Sequence, residues 1–185
     1  SSLSHDVYYR ILRPQSSTQL RLVISKSLLL LVAVLAATVA AQKPGTILSM
    51  VAWFHAHNLD GMAHWMRVQA HEEMIHAMKF FDHIVERGGT VELLDLKQIK
   101  TAWKSPLEAW QDAYAHEQLV TTRCYAITRI AREENDYAAE PLMDWFNKEQ
   151  IEEESNTQRV AGSLAMVGDN KQAILMLDRE LGARV

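Results

Sequence analysis

The sequence predicts an all-α fold, a bundle of four long helices followed by a short fifth. Three observations carry this. Only 7 Gly and 4 Pro occur in 185 residues, too few for the turns that an all-β fold needs. Apolar residues recur at three- and four-residue spacing over long stretches. Those stretches are divided by short turn signals and one long connection. The length suits one domain spanning 1–185. With 48% hydrophobic and 23% charged residues the chain can bury a core, which excludes wholesale disorder.

Residues 1–18 are mixed and polar, with Pro14 beside Ser16-Ser17-Thr18, and read as an irregular arm. Residues 19–57 read as an atypical first helix, uncharged from Leu28 to Ala41. Lys43-Pro44-Gly45 interrupts it, because Pro removes a backbone donor and Gly loosens the chain. Asn58-Leu59-Asp60-Gly61 is a turn, with Asp60 placed to cap the second helix. That helix covers 60–87 and ends at Gly88-Gly89. Residues 90–104 show no clear period, and the connection from 88 to 104 is long enough to cross the bundle end to end. Ser105-Pro106-Leu107-Glu108 opens the third helix, 105–134, with Ser as N-cap, Pro at the first position and an acid in the first turn. After the Asn135-Asp136 turn a fourth helix spans 137–167, where Pro141 is tolerable only in the first turn. Gly168-Asp169-Asn170 breaks it, and 171–182 is a short amphipathic helix.

Charge and cysteine usage exclude several classes. The net charge of −4 argues against a nucleic-acid partner. A single cysteine, Cys124, excludes a disulfide scaffold, a Cys-rich zinc site and an iron–sulfur centre, and reads as a small core hydrophobe. The charge is uneven. Residues 1–50 hold five basic residues and one acid, Asp6, whereas 51–185 hold 14 basic and 22 acidic residues.

The buried seams carry the chemistry. In the second helix the seam reads Met62, Met66, Gln69, Glu73, His76, Phe80, Ile84. In the third it reads Leu107, Trp110, Tyr114, Glu117, Val120, Cys124, Ile127, Ala131. In the fourth it reads Leu142, Phe146, Gln150, Glu153, Thr157, Val160, Leu164, Val167. Each is apolar at both ends with a carboxylate near the middle. A carboxylate in a core costs several kcal/mol unless it is paired or binds a cation. Three such costs at similar depth point to a metal. Glu73 and His76 stand at i, i+3 and face one way. A Glu-x-x-His pair with carboxylates from facing helices is the ligand set of carboxylate-bridged di-iron bundles, and this donor set suits iron or manganese. Glu72, Glu149, Glu152 and Glu154 read as solvated faces, and Glu149 and Glu152, beside Glu153 and Gln150, read alternatively as a third and looser cation site. Trp65, Met66 and Trp145 read as packing residues.

From about residue 46 to 185 the chain resembles the non-haem ferritins of bacteria and archaea. The resemblance is carried by DGMAHWMRVQAHEEMIHAMKFF from Asp60 to Phe81, by Glu86-Arg87-Gly88-Gly89 and by His116-Glu117-Gln118. Trp145-Phe146 with Glu149 to Glu154, and Leu177-Asp178-Arg179-Glu180-Leu181, extend it. It implies a ferritin-like four-helix bundle with a long crossover and a short fifth helix. It also implies a homo-oligomeric, cytoplasmic shell of twenty-four copies that oxidises Fe(II) with oxygen and stores the Fe(III) as mineral. By the same resemblance Glu73 bridges two irons, His76 binds the first, and Glu117 and Glu153 bind the second with Gln150 close by. Glu72, Glu149 and Glu152 form an extra iron site, and Trp145 packs beside the centre. A rubrerythrin-like peroxidase is disfavoured, since it needs a four-cysteine iron domain.

The first fifty residues depart from the family. The first-helix glutamate that serves the first iron falls on Ala40, a neighbouring tyrosine falls on Ile47, and 1–50 contain no Glu at all. The first iron is therefore left with Glu73 and His76, while the ligands of the second are all present. Three explanations stand for the first 45 or so residues. They are a divergent, very apolar packed helix, the reading preferred here. Alternatively they are an incorrect reading of the gene upstream of Thr46, or an export signal with Lys26, an apolar run at 28–37 and a Val39-x-Ala41 cleavage site. That run is too short to span a membrane. If the centre is crippled by the missing ligand, the protein is a storage shell that depends on slow oxidation at the mineral surface.

Overall fold

Four helix ends close on a residue with positive φ, and these ends set the lengths of the elements between them. Asn58 (φ 57°), Gly88 (φ 73°), Asn135 (φ 56°) and Gly168 (φ 52°) are those residues. At the first three the next N–H reaches a carbonyl five residues back: Leu59 to Phe54 at 3.0 Å, Gly89 to Ile84 at 2.9 Å and Asp136 to Ala131 at 2.8 Å. Gly and Asn tolerate this conformation, and the bonds satisfy carbonyls the helix leaves open.

The computed structural model describes residues 45–92 and 99–185. Within them α1 covers 45–56, α2 Asp60–Glu86, α3 Pro106–Glu133, α4 Glu140–Val167 and α5 Lys171–Leu181. The expected arm at 1–18 and the first helix before residue 45, Ala40 included, lie outside the described residues. Ile47 is a core residue of α1. Among the described residues no helix is long and apolar enough to cross a membrane.

Cross-helix contacts give the directions. Gln150 of α4 meets Glu117 and Thr121 of α3, and Asn147 meets Thr128, so these helices run antiparallel. Along α2 and α4, Gln69 meets Glu153 and Phe80 stacks on Phe146, so this pair is antiparallel too. Helices α2 and α3 are therefore parallel, and the connection between them has to travel from one end of the bundle to the other, as its length predicts.

Two apolar clusters fill the interior. One gathers Phe54, Met62, Met66, Trp110, Val160 and Leu164, and the other Phe80, Cys124, Ile127, Met143 and Phe146. Between them along the helices lies a buried polar layer of Gln69, Glu73, His76, Glu117, Thr121, Gln150, Glu153 and Thr157. The α2 seam is buried as expected from Met62 to Ile84. In α3 and α4 the seam turns slightly. Leu107, Tyr114, Val120, Leu142 and Val167 are half-buried, and Ala109, Thr121 and Met143 take inner positions.

Two local expectations are corrected. The fourth helix begins at Glu140, not 137, and residues 137–139 form a turn closed by Ala139 N–H to Asp136 O at 3.1 Å. Pro141 then sits in the first turn, where its missing N–H breaks no helical bond. The second correction concerns the start of α2. Asp60 makes no capping bond. Its exposed carboxylate lies 2.7 Å from His55 Nδ1 instead. The cap comes from α5, where the buried Asp178 accepts from Gly61 N–H at 3.1 Å and Met62 N–H at 2.8 Å. The α2 N-terminus is buried under α5, and a carboxylate there also meets the positive end of the helix dipole. At α3 the prediction holds: Ser105 Oγ accepts from Glu108 N–H at 3.2 Å with Pro106 behind it.

Candidate metal centre

The polar layer is built by α2, α3 and α4, each contributing side chains at helical spacing. On α2, Gln69, Glu73 and His76 lie on successive turns of the buried face. On α3 the inward residues are Glu117 and Thr121, and on α4 they are Gln150, Glu153 and Thr157. Glu73 is 2% exposed, Glu117 4% and Glu153 5%, so three carboxylates are withdrawn from water at one level of the bundle. A cation between them offsets the desolvation that such burial costs.

Glu73, His76 and Glu153 each bring one ligand atom to within 4.8 Å of the others. This is the only group of three or more potential metal ligands gathered so closely among the described residues. His76 Nδ1 lies 3.6 Å from Glu73 Oε2, and its Nε2 lies 3.6 Å from Glu149 Oε1. One ring nitrogen thus faces Glu73 and the other an outer glutamate. The rings of Trp145 and Phe146 stand edge-on to the imidazole, with centroids 5.4 and 6.0 Å away. Trp145 thus packs against His76.

Glu117 is buried at the same level but is not one of the close three. Its carboxylate accepts from Gln150 Nε2 at 3.4 Å, and its backbone carbonyl accepts from the same amide at 3.3 Å. Gln150 Nε2 also reaches Thr121 Oγ1 at 3.3 Å, and Thr121 donates to Glu154 at 2.5 Å. The other glutamates singled out by the sequence are held apart. Glu72 is bonded to Arg184 Nη2 at 2.5 Å, Glu149 is turned to His76, and Glu152 is exposed. Glu72, Glu149 and Glu152 therefore do not gather as tightly as the inner three.

Sequence reasoning gave no role to Gln69, although it placed the residue on the seam. Its Nε2 donates to Glu153 Oε2 at 2.7 Å and to Glu73 Oε1 at 3.3 Å, joining α2 to α4. A polar residue one turn before Glu73 on the same buried face was the available signal. Arg184 carries no such signal, because it lies beyond the last helix. A cavity of about 200 Å³ adjoins the layer, with Ile47, Met50, Trp65 and Met66 in its wall together with Gln69, Glu117 and Thr157.

A helical bundle that carries Glu-x-x-His on one helix and buried glutamates on the two facing ones belongs to the carboxylate metal-binding bundles. Comparison with known proteins makes this specific. The Ferritin-like domain family matches residues 45–167. A bacterial non-heme ferritin of Staphylococcus aureus (strain USA300) is 35% identical over 137 residues, covering 74% of this chain and 82% of that one. The bacterial non-heme ferritin of Bacteroides fragilis (strain 638R) is 35% identical over 137 residues, with 74% and 85% covered. Among solved structures, the open pore ferritin from the hyperthermophilic archaeon Archaeoglobus fulgidus superposes with a TM-score of 0.83 at 36% identity, over 85% of this chain and 97% of that chain. The chain belongs to the ferritin family, on its non-haem bacterial and archaeal side, and iron is the metal that family binds.

Proposed function

We propose that this chain is a subunit of a hollow homo-oligomeric shell that stores iron and oxidises Fe(II) with oxygen inside its helical bundle. The observation that carries this reading is the convergence of Glu73, His76 and Glu153 within 4.8 Å in the buried polar layer. Iron is the substrate. In this reading Glu73 would be shared between two ions, with His76 serving the first and Glu153 the second. Glu117 adds a second carboxylate to the Glu153 side, with Gln150 donating to it. His76 turns Nδ1 toward Glu73 and Nε2 toward Glu149, each at 3.6 Å, so Nδ1 is the nitrogen on the side of the inner carboxylates. Buried carboxylates stabilise Fe(III) more than Fe(II), because the extra charge gains more from them in a medium of low polarity. Two ferrous ions give up one electron each. Oxygen takes both with two protons and leaves as hydrogen peroxide, and the ferric ions pass to mineral in the shell. Glu72, Glu149 and Glu152 form an outer site through which iron passes, and twenty-four copies close the shell.

A second reading is favoured by the absence of any Glu in residues 1–50. In it the first ion is held too weakly for fast chemistry, and the shell stores iron that is oxidised at the mineral surface. Aerobic oxidation of about two Fe(II) per subunit, followed optically, separates the two. A fast phase that disappears in Glu73→Ala supports a working centre. Slow oxidation in the native protein, unchanged by the substitution, overturns the ferroxidase reading and leaves the shell.

A further inference from the structure

The two carboxylates of the inner group that come from different helices are joined by one amide, and that amide is itself held from outside. Gln69 is 2% exposed and spends both amide hydrogens inward, on Glu153 and Glu73. Its oxygen faces the other way and accepts from Arg184 Nη1 at 2.8 Å. The two ends of a glutamine amide are nearly the same size, so its partners decide which end points where. Arginine has donors and no acceptor, so it selects the oxygen. The Arg184 side chain is fixed in turn. Its guanidinium lies 4.0 Å over the Trp65 ring and its second nitrogen bonds Glu72. A planar, stacked fork with two partners loses little further freedom when it makes each bond.

We propose that Arg184, in the segment after α5, is a positioning residue for the metal centre. It locks Gln69 with the NH₂ group toward Glu73 and Glu153, and so holds the two carboxylates, one from α2 and one from α4, in fixed positions relative to each other. The inference rests on the proposed metal centre. It ties metal affinity to a segment more than a hundred residues away in sequence, held in place by the docking of α5 on the start of α2. The same guanidinium holds Glu72, so any ion taken up by Glu72 competes with Arg184 for it.

Co(II) tests this without oxidation chemistry, because it binds carboxylate and imidazole sites and reports coordination in its visible d–d bands. The intact protein is titrated with Co(II), alongside Arg184→Gln, Gln69→Ala and the double variant. A native protein with no d–d signal would remove the metal centre itself, a failure separate from that of the relay. With the native signal present, Arg184→Gln is expected to weaken Co(II) binding about tenfold and to alter the bands, as loss of a group that orients ligands does. Gln69→Ala should weaken binding at least as much, and the double variant no more than Gln69→Ala. Unchanged affinity and bands in Arg184→Gln overturn the inference. So does an Arg184 effect of full size in the Gln69→Ala background, since an influence routed through Glu72 survives there and one routed through Gln69 does not. An unchanged melting temperature in Gln69→Ala with weakened Co(II) binding excludes general loosening of the fold as the cause.

Discussion

Replacing Gly61 by Ala sets two effects of known size against each other. Gly in a helix is less favourable than Ala by up to about 1 kcal/mol, so local propensity argues that the substitution stabilises α2. The tertiary structure argues the reverse. A Cβ built on Gly61 falls 1.7 Å from the backbone oxygen of Asp178 and 2.6 Å from its carbonyl carbon. Neither atom is the end of a flexible side chain, so α5 has to move by well over an ångström. That movement strains the bonds from Gly61 and Met62 to the Asp178 carboxylate, 3.1 and 2.8 Å long. Hydrogen bonds to a charged group contribute about 1.5–3 kcal/mol each. It also draws Leu181, 6% exposed, away from the core, where full burial of such a side chain is worth about 1.5–3 kcal/mol. Allowing for partial loss of each and for the gain in propensity, the net effect is destabilisation of α5 docking by about 3 kcal/mol. Hydrogen exchange followed by mass spectrometry reads this directly. Amides of α5 should exchange roughly a hundredfold faster in Gly61→Ala, with those in the middle of α3 and α4 little changed. Exchange in α5 that is unchanged or slower would refute the reasoning, since it would mean the methyl group is accommodated and propensity decides the sign.

Two further perturbations test the ends of the bundle. Arg87 Nη1 bonds the buried Asp136 at 2.5 Å, tying the end of α2 to the turn between α3 and α4. Arg87→Ala leaves that carboxylate buried with one donor fewer and is expected to cost about 1–3 kcal/mol, seen as a lower calorimetric Tm. An unchanged Tm would show that water replaces the guanidinium. At the start of α3, the backbone N–H of Lys104, and then Lys100, hold the Glu108 carboxyl below its ordinary 4.5. A carboxyl lowered in the folded state adds stability above pH 4.5, and this is lost as pH falls through the lowered value. The Tm difference between the native protein and Glu108→Gln should therefore be widest near neutrality and close below that pH. A difference that grows on acidification contradicts the assignment.

How much was legible depended on the range of the interaction. Ser105-Pro106 and Gly88-Gly89 act within a turn of their own positions, so their roles could be read directly. Asp60 shows the limit. Its residue type and place suit a cap, but the first turn of α2 is covered by α5, and an aspartate 117 positions away takes the N–H groups. The seams show the same boundary. Each is a property of one helix, and the residues of α2 fell where the period put them. In α3 and α4, Leu107 and Leu142 ended at the edge and Ala109 and Met143 inside.

For the site, the chain's own periodicity determined that α2, α3 and α4 each carry a buried carboxylate at mid-height, because spacing along a helix fixes which side chains share a face. It also determined the pairing of Glu73 with His76, separated by a single turn. Only the tertiary structure decided that Glu153 joins them while Glu117 lies behind Gln150, that Glu72 is held by Arg184, and that Gln69 links the two helices. Those outcomes depend on the relative rotation and height of packed helices and on where the segment after α5 returns. Such placements are set by the sum of many contacts between distant parts of the chain, and no local pattern encodes them.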